Sequence, residues 1–208
     1  MLRHDLKILF IHINKTGGSS IIRALNMMQV HLSAELIFSD KLKNDEQYDL
    51  WKAWTNGKRR TTYNWDSLEN IKNYWNVYNK FSIVRNPWDR VVSDFFYCKK
   101  ENFVSKELTF SEEVKYNKDN KERWKLPCYD WLSLNGDIVV ENILRFENLE
   151  KDFRKMCSQL GLPNSIQLPH LNKTKHKHYT EYYNDETKQI VAEKYAKDIE
   201  YFGYKFGE

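Results

Sequence analysis

Apolar positions along this chain follow two rhythms. Lys7 to Ile13 (KILFIHI) is a short, β-branched apolar run, the pattern of a strand buried on both faces. From Ser19 to Met28 (SSIIRALNMM) the period lengthens, and Ile21, Ile22, Leu25 and Met28 recur at helical spacing behind Ser19, the predicted N-cap. The order of strand then helix returns twice. Phe81 to Arg85 (FSIVR) reads as a second buried strand, and Pro87 suits a first helical turn, where a missing N–H loses nothing. Val91, Val92, Phe95 and Phe96 give that helix its apolar face. The third unit is Ile138 to Phe146 (IVVENILRF) followed by Glu147 to Leu160, stopped by Gly161 and Pro163. A last helix, Asp185 to about Tyr201, is predicted to bury Ile190, Val191, Tyr195 and Ile199 and to stop near Gly203. Strands alternating with helices predict an α/β fold of three layers, a central, mainly parallel β-sheet flanked by helices.

Lys41 to Lys80 and Lys99 to Lys125 fit that alternation less well. Both are polar, tryptophan-bearing and partly helical in pattern, and read as excursions from the sheet. Composition narrows the picture. With 208 residues, 41% of them hydrophobic, the chain suits one globular domain over residues 1–208. No apolar run is long enough to span a bilayer, and MLRHDLKILF enters a strand pattern without a small-residue cleavage site, so the expectation is a cytoplasmic protein without stable membrane insertion. The three cysteines, Cys98, Cys128 and Cys157, are scattered and are expected to be reduced core or boundary residues, with no metal site. A net charge of +4 is too small to indicate nucleic acid as a partner, yet it suits a small anion.

Ligands of such folds gather at the carboxyl ends of the strands. There, Asn14-Lys15-Thr16-Gly17-Gly18-Ser19-Ser20 offers backbone N–H groups, hydroxyls and one cation at a helix entry, the ingredients of a phosphate cradle. Gly17 and Gly18 by themselves would read as a tight connection; the flanking Lys, Thr and Ser change that reading. The loop is not of the G-x-x-x-x-G-K-[ST] type, because Lys15 precedes the glycines, and no apolar strand ends in an aspartate suited to magnesium. The second strand end carries Arg85, able to fork onto a phosphate, and Ser93 lies about two turns into the next helix. Two phosphate sites suggest one ligand phosphorylated in two places.

These residues resemble the sulfotransferases that use 3′-phosphoadenosine 5′-phosphosulfate (PAPS), in particular the group with an HxPKTGGTS type of loop and a VRNPWDRxVS type of strand-to-helix segment, which takes in bacterial relatives of the Golgi carbohydrate sulfotransferases. ILRFENLEKDF (Ile143 to Phe153), LPHLNKTKHKHYTEYY (Leu168 to Tyr183) and DIEYFGYKF (Asp198 to Phe206) extend the likeness over most of the chain. The resemblance implies a P-loop-like fold, with Lys15, Thr16, Gly17, Gly18, Ser19 and Ser20 on the 5′-phosphosulfate, Arg85 and Ser93 on the 3′-phosphate, and Asn172, Lys173, Thr174 and Lys175 closing over the nucleotide. Asn14 departs from the more usual proline.

On that reading Lys15 also stabilises charge on the leaving phosphate, and no metal is required. His31, in VHLSAE, matches the family's HxxA-type feature and is the candidate base, with Glu35 one turn later to orient it. His12 is expected to be structural, with its position close to the loop keeping it as a spare candidate. Arg145 and Glu147 read as an ion pair near the sheet edge. The tryptophans of 45–78 (Trp51, Trp54, Trp65, Trp75) suit either the core of a helical insertion at about 41–80 or an acceptor platform. The acceptor implied is a hydroxyl, or alternatively an amine, of a small molecule or a carbohydrate. Two other classes stay open: a P-loop kinase-like phosphotransferase and a non-catalytic nucleotide-binding module.

Overall fold

The computed structural model describes residues 2–27, 72–119, 126–163, 165–169 and 176–208. Its strands are β1 (Leu2–Arg3), β2 (Ile8–Ile11), β3 (Asn79–Val84), β4 (Ser133–Leu134), β5 (Asp137–Ile138) and β6 (Asn142–Arg145). Four make the central sheet in the order β1-β2-β3-β6, with β1 antiparallel to β2 and the other pairings parallel. Alternation along β2 sends Leu9 and Ile11 to one face, with Val84 and Ile143, and Ile8 and Phe10 to the other, with Phe81, Ile83 and Leu144. Register sets Phe10 beside Phe81, their rings stacked at 4.6 Å. Each face is covered, as a parallel sheet requires, giving the predicted three-layer α/β arrangement.

Helices α1 (Gly18–Ala24) and α2 (Pro87–Lys100) follow β2 and β3. Downstream lie α3 (Phe110–Asp119), α4 (Cys128–Leu132), α5 (Leu149–Gln159), α6 (Asp185–Lys194) and α7 (Ala196–Phe202). Pro87 opens α2 as expected, and the Asn86 side chain caps it by accepting from the Trp88 N–H at 3.1 Å. Among the described residues no helix is long and apolar enough to cross a membrane. Cys128 and Cys157 are buried, Cys98 is half-buried, and all three are free thiols. Burial pushes the Cys128 thiol up to about 12, which keeps it protonated and unreactive.

Several expected boundaries move. Ser19 is not the N-cap: Gly17, at φ 87°, holds that position without any side-chain cap, and Ser19 lies within the first turn. The single strand expected from Ile138 to Phe146 is two elements. Asn135 and Gly136, both at positive φ, close a hairpin in which β5 pairs with β4, and only Asn142–Arg145 joins the sheet. The last helix breaks at Tyr195, where the backbone leaves helical geometry, so α6 and α7 bury separate faces. Asn79 and Lys80, placed in the excursion by the pattern, are strand residues. Of the four tryptophans, Trp75 is core, packed beside Leu9, Ile11 and Tyr78; the other three lie outside the described residues.

Candidate functional site

β2, β3 and β6 all run the same way, so their carboxyl ends deliver three loops to one edge of the sheet. Hydrogen bonds tie these loops together. Arg85 Nη1 donates to the Lys15 carbonyl at 3.0 Å, and the Asn86 N–H donates to Glu147 Oε1 at 2.6 Å. Arg85 is buried, with Nε held 2.8 Å from Asp89 Oδ2 one turn into α2 and its guanidinium 3.9 Å above the Phe146 ring. Two of the five N–H donors of the fork are engaged, by Asp89 and by the Lys15 carbonyl.

The first loop is shaped by what its glycines lack. A Cβ on Gly18 would overlap the His12 imidazole, and one on Gly17 would come within 2.8 Å of Phe146 Cδ2. Gly17 also needs the left-handed region. His12 is buried and stacked on Phe10, which is the structural role expected of it. Thr16 is fully buried, and its hydroxyl donates to the Ile13 carbonyl at 2.8 Å, so the side chain fixes the loop and only backbone is left for a ligand. Ser19 is exposed and Ser20 half-buried at the start of α1. Lys15 adopts a left-handed φ of 67°, and its ammonium lies 4.1 Å from the centre of the Tyr97 ring on α2. Burial, assisted by Glu101, Cys98 and Asp94, raises the Tyr97 pKa, so that ring stays neutral under the cation.

Ser93 is buried on α2, two turns beyond Arg85. The loops therefore bring together Lys15, Thr16, Gly17, Gly18 and Arg85, with Ser93 on the adjoining helix. His31 and Glu35, and Asn172, Lys173, Thr174 and Lys175, lie outside the described residues. Arg145 and Glu147 do not form the ion pair their spacing suggests. Arg145 donates to the Phe202 carbonyl and lies over the Tyr204 ring, whereas Glu147 is drawn to the Asn86 N–H.

Arg90 escaped the sequence reading. It is 2% exposed under the first loop, and it donates from Nε to the Asn14 carbonyl at 3.2 Å and from Nη1 to the Leu126 carbonyl at 3.0 Å. Nη2 meets no acceptor among the described residues. Burial alone would lower its pKa; Cys128, Tyr195, Asp198 and Asp94 outweigh that, and the charge is held firmly. The signal available was its place in the first turn of α2, one residue after Asp89 and close to the strand end that carries Arg85.

The structure is thus an α/β protein whose strand-end loops are tied together by buried arginines. The match to the family model extends over residues 1–205, and the chain belongs to the sulfotransferase family. A protein of unassigned function from Archaeoglobus fulgidus is 34% identical over 104 aligned positions, which take in 47% of this chain and 79% of the relative. Among solved structures, a sulfotransferase from Alicyclobacillus acidocaldarius is similar with a TM-score of 0.48 and 14% identity, covering 96% of this chain and 94% of that one. Mouse sulfotransferase SULT7A1 complexed with PAP gives 0.49 and 13%, covering 92% and 84%.

Proposed function

We propose that this protein transfers a sulfuryl group from PAPS to a hydroxyl of an acceptor, releasing 3′-phosphoadenosine 5′-phosphate (PAP). The observation that carries the reading is the Arg85 to Lys15 bond: within a family of sulfotransferases, it fixes the two loops that the resemblance assigns to the two phosphates at one separation. The cradle suits such a group, because Gly17 and Gly18, free of the Cβ that would meet Phe146 and His12, let the loop fold closely at the entry of α1.

PAPS supplies the activated sulfuryl group. Lys15 then binds the phosphosulfate end and neutralises charge that builds at the bridging oxygen, leaving its resting place over Tyr97 to do so. Arg85 offers its remaining N–H donors, and Ser93 its hydroxyl, to the 3′-phosphate, the group that separates this donor from ATP. His31 is the proposed base for the acceptor hydroxyl, and Asn172, Lys173, Thr174 and Lys175 are proposed to cover the nucleotide. A cytoplasmic setting and independence of metal belong to the same proposal.

The test is transfer of label from 35S-PAPS to acceptors in a chelator-containing buffer. Label transfer that is lost in Lys15→Ala supports the reading. Transfer of γ-phosphate from ATP with magnesium, and none of sulfate, replaces it with a kinase.

A further inference from the structure

Lys15 follows β2 in the left-handed region, at φ 67°, where a residue that carries a side chain is strained. Such a conformation persists only where the surroundings fix it from more than one side. The dihedrals of Lys15 are set by the two peptide planes that meet at its Cα, and a different buried arginine holds each plane. Arg90 Nε donates to the Asn14 carbonyl at 3.2 Å, and Arg85 Nη1 donates to the Lys15 carbonyl at 3.0 Å. With one carbonyl held from α2 and the other from the end of β3, neither plane turns without breaking a bond.

Arg90 is itself anchored. Its Nη1 donates to the Leu126 carbonyl at 3.0 Å and reaches Cys128 Sγ at 3.5 Å, at the start of α4. The N–H groups of Cys128 and Tyr129 are in turn held by Asp198 of α7. One guanidinium thus bridges the loop after β2 and the entry to α4. A planar fork holds two carbonyls at a fixed angle, which the point charge of an ammonium does not. Both bonds to carbonyls end on backbone, so the effect of Arg90 on a ligand passes through the loop.

We infer that Arg90 is a positioning residue for the 5′ end of the donor, acting through the Asn14 carbonyl to hold Lys15 in its left-handed conformation. The inference rests on the reading proposed above, in which the Lys15 loop takes the 5′-phosphosulfate while Arg85 and Ser93 take the 3′-phosphate. Its consequence is selective. Loss of Arg90 loosens the first loop and leaves the 3′-phosphate contacts in place.

The experiment compares PAP with adenosine 3′-monophosphate, which lacks the 5′-phosphate, on the full chain and on its Arg90→Lys and Arg90→Met variants. Calorimetry reads PAP, NMR titration reads the monophosphate, and near-UV circular dichroism records the tertiary fold. Arg90→Lys keeps the charge but not the fork, and should weaken PAP about fivefold or more; Arg90→Met should weaken it about tenfold or more. Affinity for the monophosphate should stay within about twofold in both. Backbone NMR shifts should show Lys15 leaving the left-handed region in the variants. A purely structural role weakens both ligands alike. That result, unchanged Lys15 shifts, or loss of the native fold in both variants overturns the inference and leaves the donor reading standing. Failure of the unsubstituted protein to bind PAP overturns both.

Discussion

At Gly18 the missing side chain is a packing requirement, because the His12 ring occupies the space a Cβ would need. Gly18→Ala should therefore destabilise the fold by about 1–3 kcal/mol in urea unfolding, as other overpacked sites do. Adding His12→Ala should recover part of that loss; a strictly additive double mutant would place the clash elsewhere. Lys15 presents the opposite case. A lysine in the left-handed region is strained, and glycine is not, so Lys15→Gly should leave the thermal midpoint near that of the unsubstituted protein while sulfuryl transfer falls about 10²–10³-fold. Equal losses of stability and activity would make Lys15 a structural residue. The placing of the glycines, the lysine and Arg85 at neighbouring strand ends was legible in the sequence, because each follows directly on an apolar strand pattern. The engagement of Thr16 with Ile13 and of Arg85 with Asp89 was not, because those bonds depend on how the loops fold back.

Among the elements, the strand-to-helix units read well where one rhythm gave way to another, as at β3 and α2, where Asn86 and Pro87 mark the change chemically. They read poorly where an apolar run concealed a turn. Ile138 to Phe146 contains enough β-branched residues to pass for one strand, and the Asn135-Gly136 pair that splits off the hairpin lies just upstream of it. The break at Tyr195 is tertiary in origin. It redirects α7 so that Asp198, fully buried, accepts from the Cys128 and Tyr129 N–H groups at 2.8 and 2.7 Å and caps α4 from across the fold. Asp198→Asn loses one of these acceptors and should cost about 1–3 kcal/mol, measured by urea unfolding. Burial raises the Asp198 pKa in spite of those donors and Arg90. The folded protein thus holds this proton more tightly than the unfolded chain. Stability relative to the Asn variant should decline as pH rises from the ordinary carboxylate range through the folded value, and be level above it. A difference that grows with pH would show the carboxylate to be favoured on folding.

On the scale of the whole molecule, two clusters cover the faces of the sheet, and a third lies beyond it, where α2, α3 and α6 meet and Phe206 from the end of the chain packs edge-on against Trp88, Tyr179 and Tyr183. That third cluster also supplies wall to a cavity beside Lys15, through Phe95 and Tyr195. Truncating Phe206 to Ala should lower stability by about 3 kcal/mol in thermal or urea unfolding, and an unchanged midpoint would mean that the cluster is not cooperative with the sheet. Alternating periods foretold the layers, but not this cluster, whose aromatic partners come from separate parts of the chain and carry no common period. The proposed activity depends on the donor, and its most direct test is calorimetric titration of the purified protein with PAP, beside ADP and ATP, without metal. The expected result is saturable PAP binding, weak binding of ADP, and a loss of PAP affinity in Arg85→Ala. Binding of ATP as strong as that of PAP, or PAP binding indifferent to Arg85→Ala, would contradict it.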